Sequence, residues 1–262
     1  MRLLELDNTI RREHRTAAID SKFSQFQTIL KTECSVALTS KIKIIRYIQG
    51  AEGSILFGDS GKHTRISRNT KNYYTVLLDQ ILPDWRPFPA RSKSFICTSV
   101  LKGQSITTDY TVYPVGDPLV GVCPSEDFWT SFQFIRPENF WRVFELMKNI
   151  YSILIDESSE RIISVINHID KIWAVDMQKT GSEFDVSLTG KLIYALKGSL
   201  FLRSYRVGTD LTAFDSFSEA LAYLFDPRDN GFQLKRLSEL TVEDEEREIW
   251  FSGPAYFVRQ IK

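Results

Sequence analysis

Two carboxylates stand two residues apart near the carboxyl end of the chain, in Glu246-Arg247-Glu248, and the β-rich run Ile249-Trp250-Phe251 follows at once. Along a strand, residues two apart point to the same face. If the strand extends back to Glu246, the pair faces one way and can share the work on one substrate. One carboxylate can stabilise positive charge developing on a sugar, while the other orients or deprotonates an incoming nucleophile. Cleavage of an N-glycosidic bond to a cationic leaving group suits such a pair, because its oxocarbenium-like transition state wants a nearby anion. The same residues also fit a plainer description. Five of the six residues from Glu243 to Glu248 are acids, and such runs are commonly solvated loop faces.

The elements that must position these groups are readable from pattern. Ser94 to Val100 (SFICTSV) reads as a buried strand, and YTVYPV and LVGV are two more, divided by the turn residues Gly116-Asp117-Pro118. The segment EIWFSGPAYFVRQI reads as a β-hairpin around Ser252-Gly253-Pro254, and Ile55 to Phe57 as a short strand. Residues 1–48 read as helical, with Ile19, Phe23, Phe26 and Leu30 at three- and four-residue spacing. Asn72 to Leu82 forms a further helix stopped by Pro83, and the stretch from Glu138 to about Phe225 is helical. Within it, Asp215 or Ser216 caps a helix that carries Glu219 in its first turn. Helices, strands, helices, strands give an α+β class without the alternation of a doubly wound sheet. There is no GxGxxG and no GxxxxGK[ST], so kinase, P-loop and classical dehydrogenase chemistry has no support.

Composition sets the remaining bounds. Hydrophobic residues at 43% and charged residues at 25% belong to a globular chain able to bury a core. Formal net charge is zero, yet the first hundred residues are basic and the rest acidic. A basic region can attract phosphates, of a dinucleotide or a nucleic acid, and it also fits a merely soluble surface. Cys34, Cys97 and Cys123 are sparse and odd in number, which points to a reducing compartment without a disulfide framework. The three histidines are scattered, so no metal site is expected. No apolar run approaches the roughly 20 residues that span a bilayer, and the charged start does not resemble a secretory signal, so a cytoplasmic location is expected.

The chain resembles ADP-ribosyltransferases of the toxin-like and phage-encoded kind. In that family a Glu-x-Glu pair precedes a strand, a short turn and a closing strand, which EREIWFSGPAYFV reproduces. A Ser-Thr-Ser-type element lies on a mid-chain strand, and SFICTS resembles it. The likeness covers about residues 54–131 and 226–262. It implies a split antiparallel β-sheet core in a catalytic domain of residues 51–262, and it leaves unexplained the two regions that periodicity reads as helical, residues 1–50 at the amino terminus and an insert of about 138–225. It implies NAD as donor substrate, and transfer of ADP-ribose to a macromolecular acceptor, a protein side chain or nucleic acid. Glu248 would be the catalytic carboxylate and Glu246 would act on the acceptor, with Thr98 and Ser99 supporting the NAD pocket. Family members usually carry an arginine at the end of the first core strand to hold the NAD phosphates. In ILFGDS that place is taken by Phe57, which leaves Arg65, Arg68 and Arg91 as candidates for the diphosphate. Tyr74, or its neighbour Tyr73, offers a ring against nicotinamide or adenine. Two other readings stay open: a transferase-like module that binds nucleic acid or protein without chemistry, and a phage structural protein whose helical insert mediates assembly.

Overall fold

Short runs of β-branched and aromatic residues build one nine-stranded antiparallel sheet. Its strands are β1 (Ala17–Ala18), β2 (Ile44–Tyr47), β3 (Ile55–Asp59), β4 (Phe95–Thr98), β5 (Asp109–Pro114), β6 (Leu119–Val122), β7 (Gln233–Arg236), β8 (Glu248–Phe251) and β9 (Pro254–Arg259). The computed structural model describes residues 17–18, 23–48, 53–62, 64, 75–99, 109–136, 141–152, 159–198, 200 and 210–260. The strand order is β1-β3-β9-β5-β2-β4-β8-β6-β7. Most neighbours pair along their length, but β2 and β4 meet only at Ile45↔Thr98. The sheet is therefore divided at that seam into a half carrying β2, β5, β9, β3 and β1 and a half carrying β4, β8, β6 and β7.

Two corrections to the sequence reading follow. Ile44–Tyr47, inside the stretch read as helical, is a strand at the middle of the sheet, so the sheet domain starts before residue 51. Tertiary pairing on both sides outweighs the helix-compatible spacing there. Second, β8 and β9 do not form a hairpin: β8 pairs with β4 and β6, whereas β9 pairs with β3 and β5. The turn between them is docked elsewhere. The Ser60 amide donates to the Gly253 carbonyl at 3.1 Å, and the Gly253 amide donates to Ser60 Oγ at 3.1 Å. Gly253 sits at φ 119°, where a side chain would be strained. Two residues thus carry the chain between strands that have β5, β2 and β4 between them in sheet order, which requires the sheet to fold back on itself.

That folding makes one core from both halves. Ile44, Val112 and Phe257 from one half pack with Phe95, Cys97, Val120, Ile249 and Phe251 from the other. Phe95 meets Phe257 edge-on at 5.0 Å between centroids, across the interior. Each such side chain contributes about 1.5–3 kcal/mol on full burial. The outer face of β3 and β9 is covered by helix α1 (Phe23–Glu33), whose Phe26 and Leu30 pack on Ile55 and Tyr256. Helix α2 (Ser35–Thr39) follows directly.

Residues 1–69, 87–127 and 232–262 form this compact unit, and residues 70–86 and 128–231 form a second. The second unit carries the helices α3 (Trp141–Tyr151), α4 (Ser159–Asp176), α5 (Gly181–Asp185), α6 (Leu188–Lys197) and α7 (Phe217–Leu224). On α4 the buried residues Ile162, Ile166, Ile169 and Trp173 recur at three- and four-residue spacing. Ser216 caps α7 by accepting the Glu219 amide at 3.0 Å, and the Glu219 carboxylate in turn accepts the Asp215 amide at 2.8 Å, as the sequence foretells. Of the helix expected from Asn72 to Leu82, Leu77–Ile81 forms a π-helix that Leu82 caps before Pro83, and residues 72–74 lie outside the described residues. No helix among the described residues is long and apolar enough to cross a membrane.

Asp176 closes α4 with its carboxylate buried, accepting Lys179 Nζ at 2.6 Å and the Thr189 amide at 3.0 Å. Burial alone would raise its pKa, but the bonds from Lys179 and Thr189 together outweigh it and lower the value. A carboxyl held low in the folded state adds stability above its unfolded value near 3.8, and that contribution is lost as pH falls toward the folded value. Melting curves between pH 7 and pH 3 should therefore show a shallower acid loss in Asp176→Asn than in wild type. An unchanged slope would remove Asp176 from the acid response.

Candidate functional site

Glu248 is the first residue of β8, and its position is fixed from both sides. It stands directly opposite Thr98 of β4. On the other flank its carbonyl accepts the Cys123 amide at 2.9 Å, and its amide donates to the Ser125 carbonyl at 3.0 Å. Directly paired residues share a face of the sheet, so the Glu248 carboxylate emerges beside the Thr98 hydroxyl, at the seam where β2 leaves β4. Arg91 reaches it, backed by aromatic rings. Arg91 Nη2 donates to Glu248 Oε1 at 2.8 Å, with the two side chains only 12% and 13% exposed. The Arg91 guanidinium lies over the Trp250 ring at 5.1 Å. That indole donates to the Pro89 carbonyl at 2.9 Å and stacks on Phe88 at 5.9 Å.

Of the three arginines proposed from sequence, Arg91 reaches the acid. Arg65, Arg68 and Tyr74 lie outside the described residues. The strand expected to carry the family's arginine, β3, is not the one beside β4. That neighbour is β2, and it carries Arg46. Arg46 donates from Nη1 to the Ile96 carbonyl of β4 and lies over the Phe95 ring at 5.7 Å. It thereby spans the seam where the β2–β4 ladder stops. Since Ile45 pairs with Thr98, its neighbour Arg46 points to the opposite face from Glu248. Cys97 feels both charges. Burial pushes its thiol up to about 12, Arg46 pulls it down, and Glu248 pushes it up. It is a buried, neutral thiol.

Glu246 departs from the expectation of a shared strand face. β8 begins at Glu248, and Glu246 lies in the preceding turn with φ 62°, exposed. The turn is drawn away from strand geometry by Ser99. The Ser99 amide donates to the Arg247 carbonyl at 3.3 Å, Ser99 Oγ accepts the Arg247 amide at 3.3 Å, and the same hydroxyl donates to the Asp244 carbonyl at 3.3 Å. Ser99 therefore braces the acidic turn beside Glu248. Within the acid run only Asp244 is buried, at 1% exposure, and it accepts both bonds of Lys235 Nζ, at 2.7 and 2.8 Å. The acid run is thus both things at once: a solvated face through Glu243, Glu245 and Glu246, and a buried tether through Asp244.

Sequence reasoning passed over Arg46, Trp250, Lys235 and Asp244. Around Arg46 the residues Ile42, Ile44 and Ile48 alternate as in a strand, but Ile44, Ile45 and Ile48 equally fit helical spacing, so the local pattern did not separate the two. Nothing local ties Lys235 to Asp244. Compared with protein-family models, with curated proteins and with solved structures, the chain matches none.

Proposed function

We propose that the chain transfers ADP-ribose from NAD to a macromolecular acceptor, a protein side chain or a nucleic acid. The observation that carries this reading is the register that sets Glu248 opposite Thr98, with the Arg91 guanidinium on its carboxylate. The donor set suits the substrate. A carboxylate stabilises the ribosyl cation, and an arginine beside it serves the anionic diphosphate. The bond between ribose C1′ and the nicotinamide nitrogen breaks, and its electron pair leaves with neutral nicotinamide. The acceptor nucleophile then bonds to C1′ and gives up its proton, which Glu246 is exposed to receive. Thr98 flanks Glu248, and Ser99 holds the turn that carries Glu246. Basic residues of the first hundred favour a phosphate-bearing partner.

One observation favours a second reading, a transferase-like binding module without chemistry. The Glu248 charge is already matched by Arg91, and Arg46 points to the other face. Nicotinamide release decides between them. Purified full-length chain incubated with NAD should release nicotinamide, faster when arginine-rich peptide or single-stranded DNA is supplied as acceptor. No release with either acceptor rejects the enzyme.

A further inference from the structure

Glu246 makes no ion pair or side-chain hydrogen bond among the described residues, so only its backbone places it. That backbone is in the left-handed region at φ 62°, which a glutamate does not hold unaided. The surroundings that hold it lead inward to one buried carboxylate, Asp244, which pairs closely with Lys235 and has Arg247 Nη1 at 4.0 Å. The Asp244 carboxylate accepts Lys235 Nζ twice, the Thr241 amide at 2.9 Å and Thr241 Oγ1 at 3.4 Å. Its carbonyl accepts Ser99 Oγ, which in turn accepts the Arg247 amide. Lys235 lies on β7, whose partner β6 pairs with β8, the strand that begins with Glu248. The turn bearing Glu246 is thus tied through Asp244 to β7 and through Ser99 to β4, while Glu248 is held separately by β4 and β6.

We infer that Lys235 and Asp244 are positioning residues for Glu246, setting the acceptor step without entering the cleavage step. This rests on the transferase reading above. It divides the labour: Glu248 governs breakage of the nicotinamide bond, and the Lys235–Asp244 tether governs where the acceptor's base sits. An untethered turn lets Glu246 wander, which lowers transfer to an acceptor but leaves hydrolysis of NAD by water unaffected.

The experiment uses full-length chain, with the guanidine agmatine as probe acceptor and water as the alternative nucleophile. Lys235→Met should leave kcat and KM for NAD hydrolysis within about twofold, while kcat/KM for agmatine falls tenfold or more, the scale of a misplaced catalytic base. Lys235→Arg should recover most of the loss. The double variant Lys235→Met/Asp244→Asn, which buries no lone charge, should behave like the single one. Equal loss of both reactions, or loss of neither, overturns the inference. Hydrogen exchange supplies a readout independent of chemistry. The Arg247 amide should exchange at least tenfold faster in both variants, with the Ile249 and Phe251 amides unchanged. Unaltered protection of Arg247 also overturns it. A wild-type chain that releases no nicotinamide rejects the transferase reading and leaves this exchange measurement to decide the tether.

Discussion

Glu248→Gln should lower kcat for nicotinamide release by about 100- to 1,000-fold, the usual cost of removing one preorganised electrostatic contact to the transition state. KM for NAD should move by no more than about threefold, because the contact matters when the ribosyl cation forms and not before. Glutamine keeps the shape and an oxygen that can still accept from Arg91, now 2.8 Å away, so the change isolates charge from packing. A competing effect has to be weighed. Removing the anion leaves a mostly buried guanidinium with a neutral partner, which costs about 1–2 kcal/mol of stability. A domain with typical reserves of about 5–15 kcal/mol stays folded after that loss, so unfolding cannot account for a hundredfold drop. Melting curves and nicotinamide release measured on one preparation separate the two. A variant that melts a few degrees lower yet releases nicotinamide at the wild-type rate would make Glu248 a structural partner of Arg91 and nothing more.

Local pattern carried the pieces of this site, and long-range pairing carried their arrangement. The strand of Thr98, the caps of α7 and the helices of the second unit are set by neighbours within a turn or two, and all are legible in sequence. The α+β class follows from them. What the pattern misplaces depends on partners far along the chain. EIWFSGPAYFV has the composition of a hairpin, but Ser60, nearly two hundred residues earlier, captures Gly253 and sends β9 to the other half of the sheet. Ile44–Tyr47 looks compatible with a helix until β5 and β4 offer edges on both sides. The same blindness hid Arg46 and put the search for an arginine on β3. Side-chain partners fared likewise. Asp170 accepts Ser218 Oγ at 2.6 Å and Asp176 accepts the Thr189 amide, partners that no pattern local to Trp173 shows. The donors to a carboxylate come from whichever element the fold brings near, and local pattern does not show which one that is.

Gly121→Ala should be among the most damaging single substitutions in the sheet, although it adds one methyl group. Gly121 of β6 stands opposite Trp250 of β8, and the indole lies across it. A Cβ on Gly121 would sit 2.1 Å from Trp250 Cζ2 and 2.2 Å from Cε2, far inside contact distance. A flexible chain end would yield, but this ring is fully buried and held on several sides. It donates to the Pro89 carbonyl, stacks on Phe88 and carries the Arg91 guanidinium. Moving it breaks those contacts, and leaving it strains the β6–β8 pairing. The cost belongs at the upper end of overpacking, about 3 kcal/mol. For a chain of this size that is a fall in melting temperature of about 5–10 °C. Trp250→Phe in the same background should recover part of it, because the smaller ring leaves room for the methyl, and the two changes should couple by about 1–2 kcal/mol in a double-mutant cycle. Strict additivity would mean that the ring does not meet Gly121. The site should respond as well. Arg91 rests on that indole with its guanidinium aimed at Glu248, so displacing the ring shifts a cation that reaches the acid. Gly121→Ala should therefore raise KM for NAD in the fraction that stays folded, whereas a purely structural Trp250 predicts fewer active molecules with KM unchanged.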